Sequence, residues 1–132
     1  GGLRCSQGVF SSFADKFGVD EKTMRKIAGG FGGGVGSSGL ICGAVSGAVM
    51  AIGLKYGSSE PEEAEAKQHT RELVREFMNK FREEFGSVEC KCLIGYDMSI
   101  PEDFEYVHNN NITRQICPKF VEYAVKEVEK II

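Results

Sequence analysis

Four stretches of the chain carry apolar residues at the three- and four-residue spacing of a helix with one buried face. Val9, Phe10, Phe13, Ala14 and Phe17 form the first stripe, after a start at Cys5, and Gly18 stands where a left-handed C-cap would stop it. Met24, Ile27, Ala28 and Phe31 form the second, opened by Asp20 as an N-cap. Leu73, Val74, Phe77, Met78, Phe81 and Phe85 form a long third, with Pro61 near its start, Gly86 at its end and charged residues on the wet side. Phe120, Val121, Ala124, Val125, Val128 and Ile131 form the last, which Cys117-Pro118 opens.

A fifth stretch differs in kind. Residues 29–57 hold eleven glycines, and the sequence predicts a tight loop followed by a helix capped by Ser37 or Ser38. That helix carries Gly43, Ala44, Gly47, Ala48, Ala51 and Gly53 in its interior. Each interior glycine costs roughly 0.5–1 kcal/mol against alanine, so close approach by another element must offset it. Either a helix of the same chain or a second copy, in a homodimer, would supply the contact across the Gly43, Gly47 and Ala51 face.

Between residues 86 and 116 the periodic signal lapses, and a mostly irregular segment is expected, with one helical turn near Asp103 and Val107. No long repeat and no alternating strand pattern occurs. The pattern predicts an all-α fold, a compact bundle of about five helices around the central Gly/Ala helix, with residues 1–132 as a single domain.

Charge excludes one partner class. The net charge is -3 and the basic residues alternate with glutamates, so the clustered Lys and Arg of a nucleic-acid footprint are missing. The longest apolar run, residues 40–54, is interrupted by glycines and a serine and falls short of the roughly 20 residues that cross a bilayer, so no membrane insertion is expected. The glycine loop lacks the Gly-Lys-Ser/Thr ending of a phosphate loop, and no strand precedes it. His69 and His108 have no partner at ligand spacing and read as surface or structural residues; Asn111-Ile112-Thr113 matters as a glycosylation acceptor only in a secreted chain.

The cysteines carry what chemistry the sequence offers. Their number, five, is odd, and the separations of 37, 48 and 27 residues between Cys5, Cys42, Cys90 and Cys117 fit no compact disulfide scaffold. A cytoplasmic setting, where thiols stay reduced, is the expectation. Cys42, Cys117 and Cys5 lie at or near predicted helix starts, where free amides and the helix dipole favour a thiolate. Cys90-Lys91-Cys92 places two thiols close in sequence but has no matching second pair, so it is no zinc signature.

With CGAVSG from Cys42 to Gly47, CSQGVF from Cys5, FGSVECKCLIGYD from Phe85 and CPKFVEYAVKEV from Cys117, the chain resembles, over its full length, the redox-active protein family named for its C_GCAxxG_C_C pattern. The resemblance implies that Cys5, Cys42, Cys90 and Cys117 belong together as one redox or metal site, with Gly43 and Gly47 as supporting backbone. The family's third cysteine precedes a Leu-x-Gly-type stretch, which puts that role on Cys90, five residues before Gly95, with Cys92 as an additional thiol. A related domain in split-Soret cytochromes associates such cysteines with an iron–sulfur centre, so the resemblance implies an iron–sulfur cluster and an electron carrier or oxidoreductase that works with a redox partner protein. No separate catalytic residue stands out. The alternatives are a metal-free thiol–disulfide protein and a structural module holding zinc or another ion.

Overall fold

The structure, a computed structural model, describes residues 3–132. It is all-α. Among the described residues there are nine helices: α1 (Cys5–Ser11), α2 (Ala14–Phe17), α3 (Glu21–Ala28), α4 (Gly43–Tyr56), α5 (Ala64–Phe85), α6 (Cys90–Ile94), α7 (Pro101–Asn109), α8 (Ile112–Ile116) and α9 (Pro118–Ile131). The only extended pairing among them is one antiparallel bridge between Ile41 and Glu89.

Nine helices stand where about five were expected, for two reasons. The first stripe breaks after Ser11: the Ser12 hydroxyl donates to the Val9 carbonyl at 2.6 Å, and Phe13 leaves helical geometry at φ -98° and ψ 8°. Residues 86–116, expected to be irregular, fold into α6, α7 and α8, each too short to print a recognisable stripe. The long helix begins at Ala64, beyond Pro61, whereas the caps expected at Asp20, Gly18 and Gly86 form. The Asp20 carboxylate accepts from the Thr23 amide and hydroxyl, both at 2.9 Å, and Gly18 and Gly86 close α2 and α5 in left-handed geometry.

The central helix starts later than expected, at Gly43, because Ser37 and Ser38 lie inside an unusual turn. Residues 33–37 all have positive φ: Gly33 65°, Gly34 77°, Val35 68°, Gly36 59° and Ser37 56°. Long-reach hydrogen bonds hold this left-handed turn. Gly36 N–H donates to the Gly30 carbonyl at 2.8 Å, Gly39 N–H to Gly33 at 3.1 Å and Leu40 N–H to Gly34 at 3.0 Å. Chirality charges L-residues roughly 1–2 kcal/mol each for this conformation, and three of the five are glycine.

Helix α4 packs against α1, α5 and α9. Its buried Ala44, Val45, Ala48, Ala51 and Ile52 join Val9 and Phe10 of α1, Phe77 and Phe81 of α5 and Phe120, Ala124 and Val128 of α9 in one core. Gly47 is offset within the chain: a Cβ on it would lie 2.8 Å from the Ser6 carbonyl oxygen and 2.9 Å from Val9 Cβ. Of the two neighbours the sequence allowed for the Gly43 and Gly47 face, a helix of the same chain is the one present: α1 covers it. An aromatic cluster locks α9 to α5, with Phe85 and Phe120 edge to face at 4.8 Å. The buried Glu127 meets Lys130 at 3.0 Å and Lys80 at 3.9 Å beside it.

Candidate functional site

Four cysteines stand at four helix starts. Cys5 is the first residue of α1, Cys42 the N-cap of α4, Cys90 the first residue of α6 and Cys117 the N-cap of α9. Local chemistry sets each start: Pro118 begins α9 where its missing N–H is no loss, and Gly43 begins α4 where a side chain would strike α1. Two backbone hydrogen bonds then align two of the thiols. Cys42 N–H donates to the Val88 carbonyl at 2.8 Å and Cys90 N–H to the Leu40 carbonyl at 2.6 Å, so the segments before α4 and α6 run antiparallel.

All four cysteines line one cavity of about 810 Å³. Cys42, Cys90 and Cys117 are buried, whereas Cys5 is half-buried. Cys92 is exposed and lies outside the residues lining the cavity. Among the described residues, no three His, Cys, Asp or Glu side chains are grouped so as to hold a metal ion as they stand. The thiols ring a space.

Their electrostatics are unequal. The neighbouring Cys117 thiol holds Cys5 below the ordinary thiol range, with the Cys5 amide and Arg4 adding to the effect against burial. The same interaction raises Cys117, and burial raises it further. Burial pushes Cys42 up to about 12, against the pull of the Ala44 and Val45 amides, and pushes Cys90 up to about 11. Helix starts were expected to ionise these thiols readily. Three of the four instead stay protonated at neutral pH: burial raises Cys42 and Cys90, and the Cys5 thiol together with burial raises Cys117.

Glycines let the surrounding backbone come this close. A Cβ on Gly34, in the left-handed turn, would fall 2.9 Å from Cys90 Cβ, and one on Gly43 would fall 2.9 Å from the Ser6 amide and 3.3 Å from Cys5 Cβ. The cavity lining also holds Arg4, Met98, Phe104 and Arg114, which the sequence reading passed over, and His108, which it set aside as a surface or structural residue. Phe104 and His108 stack in parallel, ring centroids 6.3 Å apart, and their four-residue spacing on α7 was the available signal. His69 packs edge-on against Tyr56 at 5.1 Å, away from the cavity.

Residues 3–131 match the family model described as "Putative redox-active protein (C_GCAxxG_C_C)". The chain belongs to this family. No curated protein and no solved structure matches it. The C_GCAxxG_C_C name writes glycine before cysteine, whereas this chain reads Cys42-Gly43. Both positions line the cavity here, and at position 43 a Cβ would fall 2.9 Å from the Ser6 amide of α1. Between the two thiols of Cys90-Lys91-Cys92, the cavity takes in Cys90. No helix among the described residues is long and apolar enough to cross a membrane.

Proposed function

We propose that Cys5, Cys42, Cys90 and Cys117 hold an iron–sulfur cluster and that the protein carries electrons. One observation supports the reading above the others: four cysteines from four separate helices, up to 112 residues apart, line a single cavity. The donor set fits. Four thiolates are the usual ligands of such clusters, and sulfurs spread around a cavity suit a group with several metal centres better than a single tetrahedral ion, whose ligands sit about 2.3 Å from one point. When bound, the cluster would supply reversible one-electron chemistry.

The protein's own residues would tune that chemistry. Ala44 and Val45 direct amides at the Cys42 sulfur, and buried apolar walls limit water, both of which set cluster potentials. Cys92 stands outside the set. Purification without oxygen, followed by iron and acid-labile sulfide analysis and a visible spectrum, tests the reading. Iron, sulfide and colour that vanish on Cys42→Ser and persist on Cys92→Ser are expected; colour that survives Cys42→Ser overturns the ligand assignment.

A further inference from the structure

The cysteines account for only part of the cavity. Much of its wall comes from side chains that a metal centre leaves unused: Leu93 and Ile94 of α6, Met98 after it, and Phe104, Val107 and His108 of α7. The last three recur at the three- and four-residue spacing of one helix face, so α7 lays a whole face along the space. At about 810 Å³ the cavity has the size of a small-molecule site, for which roughly 300–1,000 Å³ is usual.

Polarity is sorted by depth. Ile94, Met98 and Val107 are buried, whereas Arg4, Phe104, His108 and Arg114 are exposed at the mouth. Neither arginine forms an ion pair among the described residues. The one carboxylate in the lining, Glu122, is engaged by Lys126 at 2.8 Å. A chain of net charge -3 thus presents two unpaired guanidinium groups at this opening, and guanidinium is the side chain best shaped for a carboxylate. The apolar interior selects further. A ligand polar along its whole length would leave groups unpaired against Ile94, Met98 and Val107, while one with a single charged end would not.

We propose that this cavity binds a small carboxylic acid with an apolar body, its carboxylate drawn to Arg4 and Arg114 and its body against Ile94, Met98 and Val107. Binding rests on the walls and the mouth alone; only the ligand's position beside a cluster rests on the reading of the four cysteines given above. The protein is then a receptor for a small organic acid, and not solely a carrier of electrons.

Calorimetric titration of the full chain, purified without oxygen, tests this with octanoate as the probe. Acetate, which keeps the charge and lacks the body, and octylamine, which keeps the body and reverses the charge, are titrated beside it. Octanoate should bind one per chain with a negative heat-capacity change, the mark of apolar burial. Acetate and octylamine should bind at least about tenfold more weakly, the loss of a buried chain or of a charge-assisted hydrogen bond. Arg4→Gln combined with Arg114→Gln should weaken octanoate about tenfold and leave octylamine as it was. Phe104→Ala, at an exposed position that spares the core, should weaken octanoate several-fold. Octylamine bound as tightly as octanoate overturns the anionic mouth, and acetate bound as tightly overturns the apolar interior. No saturable octanoate binding, or binding unchanged in both the arginine and Phe104 variants, overturns the site. Iron and sulfide measured on the same preparation judge the cluster separately, so either idea can fail without the other.

Discussion

Val35 stands at φ 68° within a run of left-handed residues, its β-branched side chain exposed to water. Nothing in the core repays that conformation, which costs a branched residue about 1–2 kcal/mol. Val35→Gly should therefore stabilise the chain by about 0.5–1 kcal/mol after the added flexibility of the unfolded state is counted, and the urea midpoint of the two proteins checks it. The thiols give a second prediction at this scale. Cys42 and Cys90 are pushed up to about 12 and about 11 by burial, so in the metal-free folded chain they stay neutral where the unfolded chain has begun to lose its thiol protons. Their contribution is whole below the ordinary thiol value near 9 and is lost as pH rises from there toward 11 and 12. Unfolding midpoints measured from pH 7 to 10.5 should hold steady and then fall, and Cys42→Ala should flatten the fall.

At the scale of elements, α4 makes its glycines tell apart two kinds of position on one helix. Gly47 lies against α1, where a Cβ would come within 2.8 Å of the Ser6 carbonyl oxygen, while a Cβ on Gly53 meets nothing within 4 Å. Gly47→Ala should cost about 1–3 kcal/mol through overpacking, despite its better helix propensity; Gly53→Ala should gain about 0.5–1 kcal/mol. Opposite shifts in melting temperature are the expected outcome, and shifts of the same sign would reject the close α1–α4 contact. The sequence foretold that contact in outline, since interior glycines need a neighbour, but a second copy would have served as well as α1. Long stripes such as Phe77, Phe81 and Phe120 were legible because burial repeats over several turns. The helices α6 and α8 were not, because five residues hold no periodicity and tertiary contacts decide their shape. The same blindness hid the helix start at Cys90, and Ser37 looked like a cap because left-handed geometry in a serine leaves no mark in composition.

Across the whole molecule, the four cavity cysteines tie the first helix to the last, and no spacing rule could have said so; the family pattern named them and the fold brought them together. A bond between the first and the last of them crosslinks most of the chain. Residues 5 and 117 are 112 positions apart, and closing a loop of that order removes unfolded-state entropy worth about 4.7 kcal/mol in the chain-entropy account. With a urea dependence of about 1–3 kcal/mol per molar for a domain of this size, a Cys5–Cys117 disulfide should raise the midpoint by roughly 2 M over the reduced metal-free chain. The size of the shift carries information, since native-state strain subtracts from it. A gain near the full value would mean that α1 and α9 already hold the sulfurs at bonding geometry. A gain near zero, with the bond proven by mapping, would mean that closing it distorts the packing of α1 on α9, and that the folded chain favours the open dithiol. Cys92→Ser, outside the cavity, should leave the shift unchanged. Cys117→Ser should abolish it, because the Cys5–Cys117 bond can then no longer form.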